Sequence, residues 1–229
     1  NLLKKGFTGF QSICELISNS IDAGATEITF YKTHQYIYMI DNGSGLSCEG
    51  IRDMFNMYNS NHKDRRSMGI SGIGGKIATL VLGMDDMNKH SDIDIFTYDG
   101  QSYTIVNVPW SHIIQNKIYT NQISHMYMNE VERQEYDELI DGTGTIIRFK
   151  HTPIFNSLLL SQFKYPSLLP LPQRIGFIFG NLEASIFMKE EEELYDLELF
   201  NYFGDNTECY HHGKSQHTIE FYKDTFVMC

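Results

Sequence analysis

Glu15-Leu16-Ile17-Ser18-Asn19-Ser20-Ile21-Asp22-Ala23 is the stretch of this sequence that decides its fold. Apolar residues recur through it and just before it at steps of three and four, which predicts a helix over 7–23 with one apolar face. Gly24 follows where a helix commonly stops, because glycine adopts the left-handed conformation of a C-terminal cap. This helix is therefore the first firm element of the fold.

The other face of this helix is polar. Glu15, Asn19 and Asp22 are spaced four and three residues apart, so on a helix they point to the same side. Three such residues by themselves are typical of a solvated surface. The segments that follow decide whether they have a function.

Two β-rich runs follow the helix, over 27–32 and 36–40, and the short link between them predicts a hairpin. The loop Asp41-Asn42-Gly43-Ser44-Gly45 comes directly after the second run. Its glycines permit a sharp turn and the close approach of a ligand. An ordinary turn uses the same residues, so both interpretations stay open at this point.

A glycine-rich segment, Gly69-Ile70-Ser71-Gly72-Ile73-Gly74-Gly75-Lys76, precedes a predicted helix over 77–82. Backbone N–H groups at a helix start attract phosphate, and Lys76 adds a positive charge. The segment lacks the Gly-Lys-Ser/Thr ending of phosphate-loop ATPases, and no βαβ unit surrounds it as in dinucleotide-binding folds. It is a candidate phosphate site of another kind.

The remaining segments predict more strands than helices. Ser47 is placed to cap a helix that begins at Cys48. Runs over 93–98 and 102–108 predict a second hairpin, and a further strand follows Gly144. The order is not a regular βαβ alternation, so we predict an α+β fold: a two-layer sandwich of a mixed, mostly antiparallel sheet with helices on one face.

Composition excludes several classes of protein. The chain has 229 residues and a net charge of −11, which argues against direct binding of nucleic acid by this chain, although Lys63-Asp64-Arg65-Arg66 is locally basic. Its four cysteines form no Cys-x-x-Cys pair, so we expect free thiols and no zinc site. No apolar run is long enough to span a membrane, and the start resembles no signal peptide. We expect an intracellular protein, nuclear or cytoplasmic, of which this chain is a segment.

The four motifs together resemble the GHKL (Bergerat-fold) ATPase superfamily. Glu-Leu-x-x-Asn-x-x-Asp-Ala at 15–23, Asp-x-Gly-x-Gly at 41–45, the glycine-rich segment at 69–76 and Gly-Thr-Gly-Thr at 142–145 occur in the family's order and spacing. Asn-Ser-Ile-Asp-Ala-Gly-Ala-Thr is similar to MutL, Thr-Gly-Thr-Ile-Ile-Arg-Phe to gyrase, and the Gly-Lys ending to MORC proteins. The resemblance covers roughly residues 7–150.

The resemblance implies a role for each motif. Glu15 would be the general base that activates water, and Lys76 would assist at the phosphates. Asn19 would hold Mg²⁺, Asp41 would accept the adenine amino group, and Thr145 would support Asp41 through a water. The resemblance assigns the following residues to ATP: Asn19, Asp22, Ala23, Asp41, Gly43, Gly45, Met54, Gly69, Ser71, Gly72, Ile73, Gly74, Gly75, Lys76 and Thr145. The glycine-rich segment would be the ATP lid between helices.

The implied function is an Mg-ATP-dependent ATPase that works as a dimerising clamp or switch, with nucleic acid or chromatin contacted through other regions. Two alternatives stay open: a chaperone-like ATPase that acts on proteins, and a nucleotide-binding module with little turnover. We expect residues 1–150 to be the ATP-binding domain and 151–229 a C-terminal extension or the start of a transducer-like domain. Many relatives bring a lysine from that second domain to the γ-phosphate, and Lys164, Lys189 and Lys214 are candidates here.

Overall fold

A computed structural model describes residues 8–55, 74–84, 89–117, 123, 125–152, 175, 184–190 and 193–196. The helices are α1 (Gly9–Asp22), α2 (Cys48–Phe55), α3 (Gly74–Leu82), α4 (Trp110–Asn116) and α5 (Glu130–Leu139). The strands are β1 (Glu27–Lys32), β2 (Tyr36–Asp41), β3 (Ile93–Tyr98), β4 (Tyr103–Val108), β5 (Met126–Tyr127), β6 (Gly144–Lys150), β7 (Ser185–Glu190) and β8 (Glu193–Asp196). None of the helices in these ranges has the length and apolar character needed to cross a bilayer.

All eight strands belong to one sheet, in the order β5-β4-β3-β6-β2-β1-β7-β8. Every neighbouring pair is antiparallel except β1 and β7, which are parallel. This mixed, mostly antiparallel sheet confirms the predicted α+β fold class, and both predicted hairpins are present. The sheet also runs past residue 150, because β7 adds to the free side of β1. The domain division at that residue stays a prediction.

Helix α1 begins and ends with strong local signals. The Thr8 side chain accepts a hydrogen bond from the backbone N–H of Gln11, whose own side chain accepts the N–H of Thr8, a capping box. Gly24 ends the helix with φ of +78° and donates its N–H to the carbonyl of Ile21. These two caps fix where α1 begins and ends, and the packing of its apolar face in the core leaves the polar face on the opposite side.

The sheet separates two apolar clusters. Alternate β2 residues face opposite sides, with Ile37 and Met39 on one and Tyr38 and Ile40 on the other. The first cluster contains the buried faces of α1, α2, α3 and α4. The second is closed by α5 through Tyr136, which is fully buried. The prediction of helices on one face therefore holds for four helices, and α5 is an addition on the other face.

The ends of β2 and β6 approach closely because one residue there has no side chain. Gly144 begins β6 next to the end of β2, and a methyl group on it would overlap the Asp41 carbonyl oxygen. The neighbouring residue, Thr145, then pairs directly with Asp41 across the two strands. Both side chains lie on the α1 side of the sheet, since paired residues share a face.

We expect Gly144→Ala to lower the free energy of unfolding by about 2–3 kcal/mol or more, because backbone atoms of two strands would have to separate. Gly50→Ala is the matched control: its methyl group meets only ordinary contacts in α2, so stability should be unchanged or rise by up to about 1 kcal/mol. Denaturant unfolding of both variants measures the difference. Equal stability of Gly144→Ala and the wild type would contradict the close approach.

Candidate functional site

A cavity of about 400 Å³ lies between the polar face of α1, the helices α2 and α3, and the end of the sheet at β2 and β6. Its size is that of a small-molecule site. The residues that line it are Glu15, Leu16, Asn19, Ser20, Asp22, Ala23, Asp41, Ser44, Gly45, Leu46, Gly50, Asp53, Met54, Gly74, Gly75, Lys76, Thr145 and Ile147. Motifs that are far apart in the sequence therefore meet in one place.

Asp41 forms the inner wall at the sheet. Its Oδ1 accepts the backbone N–H of Gly43 at 3.0 Å and its Oδ2 accepts the Ser20 hydroxyl at 2.9 Å. Burial raises the pKa of Asp41 above 3.8, while these two donors and the backbone of Thr145 act in the opposite direction. The residue is 8% exposed, so its carboxyl depends on protein donors rather than on water.

The polar face of α1 forms the second wall, where Glu15, Asn19 and Asp22 all line the cavity. Burial raises the pKa of Glu15 above 4.5, and the nearby charge of Asp22 raises it further. Gly74 packs directly on Glu15, and a methyl group at Gly74 would overlap the carboxylate. The solvated-surface interpretation of this helix face is therefore wrong for Glu15, which lies under another helix.

The third wall is the first turn of α3, which contains Gly74, Gly75 and Lys76. A methyl group at Gly75 would lie 3.0 Å from the Asn19 amide nitrogen, so α3 rests on the middle of α1. Lys76 is buried at the cavity, and this burial lowers the pKa of its ammonium group while the carboxylate of Asp53 raises it. The helix start and the lysine together place positive charge at this end of the cavity.

The loop after β2 owes its path to Gly45. This residue has φ of +70°, and a methyl group on it would overlap the Tyr98 carbonyl oxygen in β3. Gly43 does not line the cavity; its N–H instead binds Asp41, and a methyl group there would lie 3.0 Å from the Ala23 carbonyl oxygen. Gly45 is therefore part of the cavity wall, whereas Gly43 supports the carboxyl of Asp41 from outside the cavity.

Most of the predicted site residues come together. Those that line the cavity are Glu15, Asn19, Asp22, Ala23, Asp41, Gly45, Met54, Gly74, Gly75, Lys76 and Thr145. Gly69, Ser71, Gly72 and Ile73 lie outside the described residues, as do Lys164 and Lys214. Lys189 does not line the cavity, because it lies in β7 with its ammonium group 4.7 Å from the centre of the Tyr31 ring.

Several lining residues were not predicted from the sequence. Ser20 follows Asn19 on α1. Asp53 lies three residues after Gly50 on α2, and this spacing puts Gly50 and Asp53 on one helix face. Ile147 lies two residues after Thr145, so the period of a strand places them on the same side. Periodicity from a predicted site residue could have found Ile147, whereas no such signal pointed to Ser20 or Asp53.

The side-chain oxygen atoms on the polar face of α1 are suitable ligands for a small hard cation. Asn19 is exposed at the cavity and lies between Glu15 and Asp22 on the same helix face. Magnesium takes oxygen ligands and keeps several waters or phosphate oxygens, so one amide oxygen with nearby carboxylates suits it. Asn19 is the residue in this cavity that could hold such an ion.

Two comparisons with known proteins found matches for this chain. The family model described as histidine kinase-, DNA gyrase B- and HSP90-like ATPase matches residues 7–140. Among solved structures, the chain is similar to the ATPase domain of Aquifex aeolicus MutL complexed with ADP, at 14% identity and a TM-score of 0.43. The similarity covers 81% of this chain and 60% of the MutL chain. No curated protein sequence matches the chain.

The fold and the family match together define the class of protein: a single-sheet α+β domain of the Bergerat type. The chain belongs to the family of histidine kinase-, DNA gyrase B- and HSP90-like ATPases, the GHKL superfamily. Membership of this family supports ATP binding. The resemblance that the motifs predicted is confirmed.

We expect Asp41→Asn to make the unliganded protein more stable than the wild type at neutral pH. Burial raises the pKa of Asp41 above 3.8, so its contribution to stability is present below that pH and is lost as the pH rises through the raised pKa. The stability gain of the variant should therefore shrink as the pH falls toward 3.8. Denaturant unfolding of both proteins across this range measures it, and a gain that is independent of pH would contradict the assignment.

Proposed function

We propose that this domain binds Mg-ATP in the cavity and hydrolyses it, as an ATP-gated dimerisation clamp or switch in DNA or chromatin transactions. The observation that carries the proposal is the position of Asp41. Its buried carboxyl closes the sheet end of a cavity whose other walls carry Glu15, Asn19 and Lys76. A base-recognising acceptor at one end and a cationic helix start at the other match the two ends of a nucleotide.

The hydrogen bonds of Asp41 support recognition of an amino group. A carboxylate offers about four acceptor positions, and the N–H of Gly43 and the hydroxyl of Ser20 occupy two of them. Positions remain for a ligand donor from the cavity. The adenine amino group would supply it, whereas guanine has a carbonyl oxygen at that position and would face the carboxylate without a hydrogen bond.

The start of α3 supports binding of the phosphates. The first N–H groups of a helix have no partner within that helix, and they attract anions. Gly74 and Gly75 bring this backbone to the cavity, and Lys76 adds a positive charge whose attraction for phosphate is stronger at a buried position than in water. Asn19 would hold Mg²⁺ beside the phosphates, where the ion would neutralise part of their charge.

Glu15 supports hydrolysis. In the proposed reaction the oxygen of a water attacks the γ-phosphorus, the bond to the bridging oxygen of ADP breaks, and Glu15 accepts the proton of the water. The partly buried position that raises the pKa of Glu15 makes it a stronger base than an exposed glutamate. Gly74, packed on the carboxylate, limits the positions that Glu15 can adopt.

The clamp and its DNA or chromatin client rest on the motif resemblance to MutL, gyrase and MORC proteins. The net charge of −11 argues against direct binding of nucleic acid by this chain and supports contact through other regions of the protein. Lys189 lies on Tyr31 rather than at the cavity, which argues against it as the γ-phosphate lysine of the relatives. We therefore expect slow turnover by the isolated chain and faster turnover in a dimer.

We expect Asp41→Asn to lose ATP binding at least tenfold while the chain stays folded. The new amide can donate to the Ser20 hydroxyl, but it also turns a donor toward the adenine amino group, and discrimination between ATP and GTP should fall or reverse. Asp137→Asn on the exposed side of α5 is the matched control. Calorimetric titration with both nucleotides measures the change, and unchanged ATP affinity would contradict the base-binding role.

We expect Glu15→Gln to lower the hydrolysis rate by about 10²–10⁴-fold and to change ATP affinity little. In the wild type the rate should fall on acidification at a pH above the 4.5 of an ordinary glutamate, because the base must be ionised and its pKa is raised. Phosphate release measured against pH tests both points. Glu138→Gln on α5 is the control, and a Glu15→Gln variant with wild-type turnover would exclude the general-base role.

A further inference from the structure

Thr97 lies behind the base end of the cavity and is fully buried. In the sheet register it pairs with Thr145, which in turn pairs with Asp41. Paired residues share a face, so these three side chains form a polar row across β3, β6 and β2 on the side of α1. Two members of the row line the cavity, whereas Thr97 lies one strand further away.

The Thr97 hydroxyl connects three parts of the wall. Its Oγ1 accepts the backbone N–H of Leu46 at 2.7 Å and donates to the Gly144 carbonyl oxygen at 3.0 Å. It also lies 3.5 Å from the Thr145 hydroxyl. A hydroxyl has one donor and two acceptor positions, so these contacts use its full capacity and the loop after β2 is tied to β6 through one atom.

The tied loop carries part of the cavity wall. Gly45 and Leu46 both line the cavity, and Gly45 is packed on the backbone of Tyr98, the residue after Thr97. The loop therefore has two anchors on β3, one by close packing and one by the Thr97 hydroxyl. Removal of the hydroxyl would leave the Leu46 N–H without this acceptor and would free one side of the loop.

We propose that Thr97 is a positioning residue for the nucleoside end of the site, and that it sets affinity for the base without contact to the nucleotide. This inference rests on the proposed ATP binding. Thr97 acts through the Leu46 backbone and through the start of β6 at Gly144 and Thr145. The phosphate end, built by α3, is independent of this anchor.

The test compares three variants of the chain by calorimetric titration with ATP and with adenosine. Thr97→Val keeps the shape and removes the hydroxyl, Thr97→Ser keeps the hydroxyl, and Thr152→Val is the matched control. Thr152 is also buried and donates to a carbonyl, that of Leu82 at 2.6 Å, but it does not line the cavity. Amide hydrogen exchange of Leu46 without nucleotide is measured in parallel.

We expect Thr97→Val to weaken ATP and adenosine binding by the same factor, about tenfold, the effect of one buried group left unsatisfied. Thr97→Ser should restore affinity to within about threefold, and Thr152→Val should leave it unchanged. The Leu46 amide should exchange slowly in the wild type and faster in Thr97→Val.

If Thr97→Val binds ATP and adenosine with wild-type affinity, the inference is overturned while the proposed function stands. The same holds if the variant loses affinity for ATP but not for adenosine. If Thr97→Val does not fold, exchange of the wild-type Leu46 amide at the rate of a free amide would overturn it. Failure of the wild type to bind either ligand would instead refute the proposed function.

Discussion

The buried carboxyl of Asp41 is the group on which the geometry of the cavity depends. A carboxyl group that is 8% exposed must find its hydrogen-bond donors within the protein. Those donors come from two different segments, the hydroxyl of Ser20 on α1 and the N–H of Gly43 in the loop. Asp41 is itself paired with Thr145 on β6 in the sheet. Because both donors must reach the same carboxyl at the sheet, the helix, the loop and the strands are held at fixed positions around it. The cavity is the space that remains between them.

The same constraint divides the site into a rigid end and a cationic end. At the sheet, Gly144 allows β6 to approach Asp41, and the polar row continues to Thr97. At the other end, the first turn of α3 lies on α1, where Gly74 covers Glu15. Recognition of a base needs fixed acceptors, which a sheet supplies, whereas phosphates are bound well by a helix start and a lysine. The proposed function assigns each part of a nucleotide to the end that suits it.

Sequence reasoning predicted much of this arrangement because its signals are local. The periodicity and the C-terminal glycine of α1, the two hairpins and the glycine-rich motifs each lie within a short segment, and the family-like order of the motifs predicted the fold class. The parallel pairing of β7 with β1 was not predicted, since it joins residues more than 150 positions apart. Helix α5 has a polar sequence with one fully buried residue, Tyr136, and gave no apolar stripe. The position of Thr97 behind the cavity was not predicted either, because it depends on strand register rather than on any motif.

The central claim, that the cavity between α1, α3 and the sheet is an adenine nucleotide site, is tested most directly by calorimetric titration of the wild-type chain with ATP and GTP in the presence of Mg²⁺. We expect one ATP per chain, with GTP bound at least tenfold more weakly, because guanine has a carbonyl oxygen where adenine has the amino group that would donate to Asp41. We also expect chelation of Mg²⁺ to weaken ATP binding, because Asn19 would lose the ion that links it to the phosphates. Absence of ATP binding, or equal affinity for ATP and GTP, would contradict the account.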